Sequence, residues 1–181
     1  FQSFKGIKQG IENTNYLLRS KNKKFILTIF EKRVVKKEIP FFMKLMDQLS
    51  NLNINCPKPL KNNRGNYLIR VKNKISCVVT FLDGKDKKKL NLKNCFDIGK
   101  TIAQIHLSTK KLKLYRKNSM GIKNLNPLLN SIKFKSQKFS NLEKFLKNNF
   151  KDIKDKWPKK LPQGIIHGDL FIDNIFFKGN K

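Results

Sequence analysis

Near the end of the chain runs His167-Gly168-Asp169-Leu170-Phe171-Ile172-Asp173-Asn174, followed by Ile175-Phe176-Phe177. An Asp and an Asn five residues apart on one loop give two oxygen-bearing side chains that can serve one reaction. Phosphoryl transfer needs a carboxylate that orients the acceptor hydroxyl and takes its proton. It also needs an oxygen ligand for the metal ion that offsets the phosphate charge. Asp169 fits the first role and Asn174 the second. His167 stands where its ring can brace the loop by hydrogen bonds. An exposed Asp/Asn turn between two strands would use the same residue types. The order His, Gly, Asp, four residues, Asn and then an apolar strand favours the catalytic reading.

The other reactive side chains carry less. His106 ends a helical pattern and reads as a core or capping residue. Cys56, Cys77 and Cys95 show no C-x-x-C spacing and have no activating neighbours in sequence. They read as buried fillers in a reducing compartment, not as a disulfide scaffold or a zinc module.

A loop of this kind needs elements that position it. Residues 3–8 read as a short strand, and the turn formers around Gly10 and Asn15 read as a hairpin into Tyr16-Leu17-Leu18. The run Phe25-Ile26-Leu27-Thr28-Ile29-Phe30 is β-rich. Over residues 37–52, Ile39, Phe42, Met43, Leu45, Met46 and Leu49 follow the spacing of a helix with one buried face. Pro40 falls near its start, where a missing N–H does least harm. Residues 66–71 and 75–82 are two more extended pieces.

Past Asp83-Gly84 the pattern turns helical. Residues 85–89 are a charged linker or exposed loop, and 92–107 form a helix with Cys95, Ile98, Ile102, Ile105 and His106 on one face. Two further helices fall at 125–134 and 142–150, and strand-like pieces flank the polar loop. The expected class is α+β: an antiparallel sheet with one helix over residues 1–82, then a mostly helical part over 83–181. That is the order of a protein-kinase-like fold of two lobes, with the second lobe truncated. The chain reads as cut at both ends, starting in a strand at Phe1 and stopping after the turn Lys178-Gly179-Asn180.

The chain has 181 residues, with 41 Lys+Arg against 12 Asp+Glu and a net charge of +29. Of the basic residues 36 are Lys and 5 are Arg; Lys, Asn and Ile together make 75 residues, while Ala occurs only at Ala103. Those are the amino acids of A/T-rich codons, so genome composition explains much of the excess. A reader of nucleic acid sequence relies on Arg for bidentate contacts, and Arg is scarce here. No specific nucleic-acid partner is expected. The chain has no run of about 18 apolar residues and no apolar stretch in its first ten, so neither a membrane partner nor a secretory leader is expected. A hydrophobic fraction of 39% with 15 Phe is enough for a packed core.

The loop His167-Gly168-Asp169-Leu170 with Asn174 resembles the catalytic loop of the aminoglycoside and choline kinase superfamily, small-molecule relatives of protein kinases. The longer string HGDLFIDNIFF is most similar to the homoserine kinases of that superfamily. So are GIKQGIENTNY (residues 6–16), FILTIFEK (25–32), PFFMKLMDQL (40–49) and VVTFLDGK (78–85). The resemblance implies ATP and Mg²⁺ as cofactors. It also implies L-homoserine as the small-molecule substrate and O-phospho-L-homoserine as the product, in cytoplasmic threonine biosynthesis. Gly10, Ile11, Glu12, Asn13 and Thr14 take the place of the turn that covers the phosphates. Thr80, Phe81 and Leu82 match the hinge, where backbone groups meet the adenine edge.

Thr28 stands where kinases place a third-strand lysine, and Lys32 or Arg33 is a candidate for the missing charge. Glu38 is the candidate helix glutamate, or simply a helix-start carboxylate favoured by the dipole. The family's second metal ligand and most of its acceptor pocket would lie past Lys181, so the chain alone is not expected to turn over. A kinase of choline or an aminoglycoside, and a basic non-enzymatic binder of nucleic acid, are the alternative readings.

Overall fold

The computed structural model of the chain describes residues 2–8, 13–31, 35–132 and 140–179. These fall into two compact units, Phe1–Tyr115 with Gly164–Lys181, and Arg116–Gln163. The first is built on an antiparallel sheet of β1 (Ser3–Ile7), β2 (Asn13–Ser20), β3 (Lys23–Phe30), β4 (Leu68–Val71) and β5 (Lys74–Thr80), in the order β1-β2-β3-β5-β4. Its β-branched and aromatic runs become strands, and polar pairs become the turns between them. Lys72 and Asn73, between β4 and β5, both take positive φ (46° and 63°), the geometry that lets a two-residue hairpin follow the sheet's twist.

Side chains alternate across a strand, so register decides what meets what. Ile26 lies opposite Val79, Thr28 opposite Cys77, and Cys77 opposite Leu68, which puts all of them on one face. Helix α1 (Ile39–Asn51) covers that face. Ile39 and Met43 pack with Cys77 and Val79 as the buried core, flanked by Ile26, Phe30, Met46, Tyr67, Leu68 and Ile75. Pro40 sits in the first turn of α1, as its sequence position predicts.

Helix α2 (Leu92–Thr109) keeps three of its five predicted inward residues and loses the two at the ends of the row. Asn94 and Thr109 are its buried residues, with Ile98, Ile102 and Ile105 partly buried between them, while Cys95 and His106 are exposed. Each lies one residue off the inward row, a turn of about 100°. The sequence misleads here because two polar residues hold the buried positions. Asn94 is satisfied by a capping box with Asn91, and the Thr109 hydroxyl donates to the Ile105 carbonyl at 2.8 Å. His106 is therefore neither core nor cap, and Cys95 is not a filler. Cys77 is buried and Cys56 half-buried.

The second unit holds α3 (Ile122–Ser131) and α4 (Ser140–Lys156), which pack on each other. Both depart from their predicted bounds. Residues 133–134 lie outside the described residues, and α4 continues six residues past its apolar run. Ion pairs from Lys147 to Glu143 and from Lys156 to Asp152 (2.6 Å) staple its turns at i,i+4 spacing.

The three thiols differ enough to be told apart chemically. Burial pushes the Cys77 thiol up to about 11 and raises that of Cys56, so thiolate is scarce at both. In native protein at neutral pH, a thiol reagent such as dithionitrobenzoate should react with Cys95 first, with Cys56 slowly, and with Cys77 only on unfolding. A Cys95→Ser variant that keeps the fast phase would contradict this order.

Candidate active site

The polar loop is held mainly through Asn174. Its Nδ2 donates to the Asp169 carbonyl at 2.9 Å and to Asp169 Oδ2 at 3.2 Å. The short 3₁₀ turn Ile172–Asn174, closed by Asn174 N–H on the Phe171 carbonyl (3.0 Å), brings the two side chains together across five residues. Gly168 takes φ 77°, a conformation any other residue adopts at a cost, so the chain can turn just before Asp169. His167, Asp169 and Asn174 are all exposed. Among the described residues His167 makes no side-chain hydrogen bond, so the bracing expected of it falls to Asn174.

The piece after the loop is not the strand its apolar residues predict. Among the described residues it forms one isolated bridge, in which Lys85 N–H donates to the Phe177 carbonyl (3.0 Å) and Phe177 N–H to the Lys85 carbonyl (2.9 Å). A ladder needs a longer partner than Lys85 supplies. Residues 85–89 are, apart from half-buried Lys87, the exposed loop their charges predict, tied down at Lys85 by this bridge. Lys87 carries its ammonium 4.5 Å from the centre of the Phe177 ring and donates to Asn94 Oδ1 at 3.3 Å. It thereby joins the loop's far end to the start of α2. Gly84 makes the approach possible, since a Cβ there would stand 3.1 Å from both Phe176 Cβ and the Phe177 carbonyl oxygen.

On the sheet, Gly10, Ile11 and Glu12 of the expected phosphate turn lie outside the described residues, as do Lys32 and Arg33. Asn13 and Thr14 already belong to β2. Thr28 sits on the face that carries α1, and its hydroxyl donates to Asn15 Oδ1, directly across the β2–β3 pair, at 2.9 Å. Glu38 precedes α1 as its N-cap residue without a side-chain capping bond.

The opposite face carries a network the sequence did not signal. Glu31 accepts from Thr14 Oγ1 (2.8 Å) and from Lys74 Nζ (2.6 Å). The bond from Lys74, then that from Thr14, hold its carboxyl below the ordinary value. Lys74 lies 43 residues away, a separation no local pattern bridges.

At the hinge, Thr80 N–H is taken by the Lys58 carbonyl (2.9 Å) and Phe81 N–H by the Lys24 carbonyl (3.2 Å). Of the three expected hinge residues, Leu82 alone keeps a backbone N–H without a partner among the described residues.

Among the described residues no three His, Cys, Asp or Glu side chains gather as ligands. Asn174 offers one oxygen, Oδ1, on the side of its amide away from Asp169. Mg²⁺ suits such a site because it keeps several waters and binds phosphate oxygens beside one or two protein ligands.

The family described as "Phosphotransferase enzyme family" matches residues 3–181. A homoserine kinase of Parvibaculum lavamentivorans is 36% identical over 180 residues, 99% of this chain and 56% of its own length. One from Bradyrhizobium diazoefficiens is 36% identical over 181 residues, 99% of this chain and 55% of its own. The chain thus spans a little over half the length of the curated relatives it matches. Among solved structures, a microcompartment-associated aminopropanol kinase superposes with a TM-score of 0.74 at 14% identity, over 99% of this chain and 60% of that one. A spectinomycin phosphotransferase crystallised with ADP and spectinomycin gives 0.61 at 13%, over 98% and 60%. These likenesses carry the α+β, kinase-like fold.

Two tests follow from the geometry. Gly84→Ala should cost on the order of 1–3 kcal/mol through strain and forced separation. Gly99→Ala, with open space around its position in α2, should stabilise by about 0.5–1 kcal/mol. Urea unfolding of both decides, and equal midpoints would remove Gly84 from its role. For Glu31 the folded pKa is the lower one. Its contribution is therefore complete above the ordinary 4.5 and is lost as pH falls through the depressed value. Glu31→Gln should melt below the wild type at pH 7, and the gap should close toward pH 3; a gap that widens in acid would reverse the assignment.

Proposed function

The chain belongs to the phosphotransferase enzyme family, and on that premise we propose that it serves as an ATP-dependent homoserine kinase. The observation that carries the chemistry is the Asp169–Asn174 pair, one carboxylate and one carboxamide fixed on each other by a hydrogen bond. The substrate rests on the homoserine kinases that align with the chain along its whole length. Residues 1–82 act as the nucleotide lobe and 83–181 as the first part of the catalytic lobe, at work in the cytoplasm where ATP is made.

In this reading Asp169 accepts the proton of the homoserine side-chain hydroxyl and points its oxygen at the phosphorus. The two hydrogen bonds from Asn174 Nδ2 restrict how that carboxylate can turn, and they leave Asn174 Oδ1 for the metal. Leu82 N–H is the hinge donor for the adenine edge, because the two N–H groups before it are already spent. Bound ATP with Mg²⁺ supplies the electrophilic phosphoryl group and the charge that stabilises its departure.

The test uses the full-length protein and follows ADP release with L-homoserine, choline and an aminoglycoside as acceptors. Turnover should require L-homoserine. Asp169→Asn should lower kcat by roughly 10²–10⁴-fold with ATP affinity unchanged, since the base is lost and the nucleotide contacts lie elsewhere. Wild-type turnover in that variant would sink the assignment, and turnover with choline alone would move the substrate to the other branch.

A further inference from the structure

The outer edge of β5 is paired in two pieces. Thr80 N–H donates to the Lys58 carbonyl (2.9 Å) and Leu60 N–H to the Val78 carbonyl (2.8 Å), so residues 58–60 run beside the strand. The chain then leaves the edge and returns as β4, with Leu68 opposite Cys77. Residues 61–67 form a loop between the two pieces, and that loop is closed on Asn62. Its N–H donates to the Asn66 carbonyl (2.9 Å), and its carbonyl accepts from Gly65 N–H (2.9 Å). Its Oδ1 accepts from the N–H groups of Arg64 (2.9 Å) and Asn66 (3.0 Å). Gly65 supplies the positive φ, 77°, that the turn requires. Arg64 therefore projects from a fixed base.

Between this loop and β4 lies an open nook of about 430 Å³, lined by Asn62, Asn63, Arg64, Ile69 and Arg70. Ile69 and Arg70 stand on opposite faces of β4, so the nook wraps around the outer edge of that strand. Val71 and Lys74 flank the two-residue turn as a hydrogen-bonded pair. Arg70, one residue before, therefore turns its backbone N–H away from β5 and toward the open edge. Its guanidinium is tethered through Nη1 to the Asn73 carbonyl at 3.3 Å. The other N–H groups of that guanidinium, and all those of the Arg64 guanidinium, have no partner among the described residues. No carboxylate lines the nook. Lysine fills most basic positions of the chain, 36 against 5 arginines, so composition does not account for two guanidinium groups in one small space. A guanidinium is the side chain that grips an oxyanion with two parallel N–H groups. We propose that the nook binds the phosphate or carboxylate group of a small molecule, clasped between Arg64 and Arg70, with the Arg70 backbone N–H as a further donor and Ile69 against the ligand's apolar part. The loop interrupts the edge along which an extended peptide would have to pair, which leaves a small molecule as the occupant. No residue of the nook belongs to the catalytic loop or the hinge, so the inference does not depend on the kinase reading.

The experiment follows individual arginines by NMR. The isotope-labelled full-length protein is titrated with inorganic phosphate and, separately, with succinate. The salt is about 0.15 M NaCl, where a Debye length of about 8 Å screens the diffuse field of the basic surface. The side-chain Nε–H signals of Arg64 and Arg70 should shift together and saturate near about 1 mM with one of the two anions, and the anion that does so identifies the group bound. Arg19, exposed on β2, is the reference and should not saturate. Replacing both residues, Arg64→Lys and Arg70→Lys, keeps the net charge and the backbone bonds of the loop but removes the paired N–H geometry. Binding read at the Asn63 amide should then weaken roughly 10-fold. Shifts that climb without saturation at Arg64, Arg70 and Arg19 alike would mean attraction by the surface field only. Undiminished affinity in the lysine variant would mean the same, and either result overturns the proposal. If that variant does not fold, the wild-type titration decides alone.

Discussion

The candidate site depends on one short piece of backbone pairing, the bridge between Lys85 and Phe177. Asp169 and Asn174 sit on an exposed loop with few contacts of its own, and such a loop keeps a geometry only if its ends are fixed. Two hydrogen bonds fix the far end to the segment that leaves the hinge. Gly84 lets the backbones approach, and Lys87 closes the junction by lying over the Phe177 ring while holding the N-terminal cap of α2. Hinge, α2 and catalytic loop are thereby joined at a single point. A displacement at residue 84 is transmitted to Asp169 through eight residues of chain and no intervening core.

The sheet divides its labour between its two faces. The α1-facing side is core, bordered by the polar row of Asn13, Asn15 and Thr28. The other side carries Glu31, pinned by Thr14 from β2 and by Lys74 from β5. That arrangement ties the start of β2 to the end of β3 without spending the α1-facing surface on an ion pair.

Much of this was legible in the sequence, for identifiable reasons. The five strands and α1 could be read because their apolar spacing and turn residues agree with their burial. The Asp169–Asn174 pair could be read because both partners lie on one loop. What escaped was set by tertiary context. Helix α2 buries Asn94 and Thr109, so a reading that sends polar residues outward puts Cys95 and His106 at the two ends of the inward row instead. Residues 175–177 have the composition of a strand, but pairing is decided by the neighbour. Glu31 with Lys74 and Gly84 with Phe177 join positions far apart in sequence, and no periodicity reports such contacts.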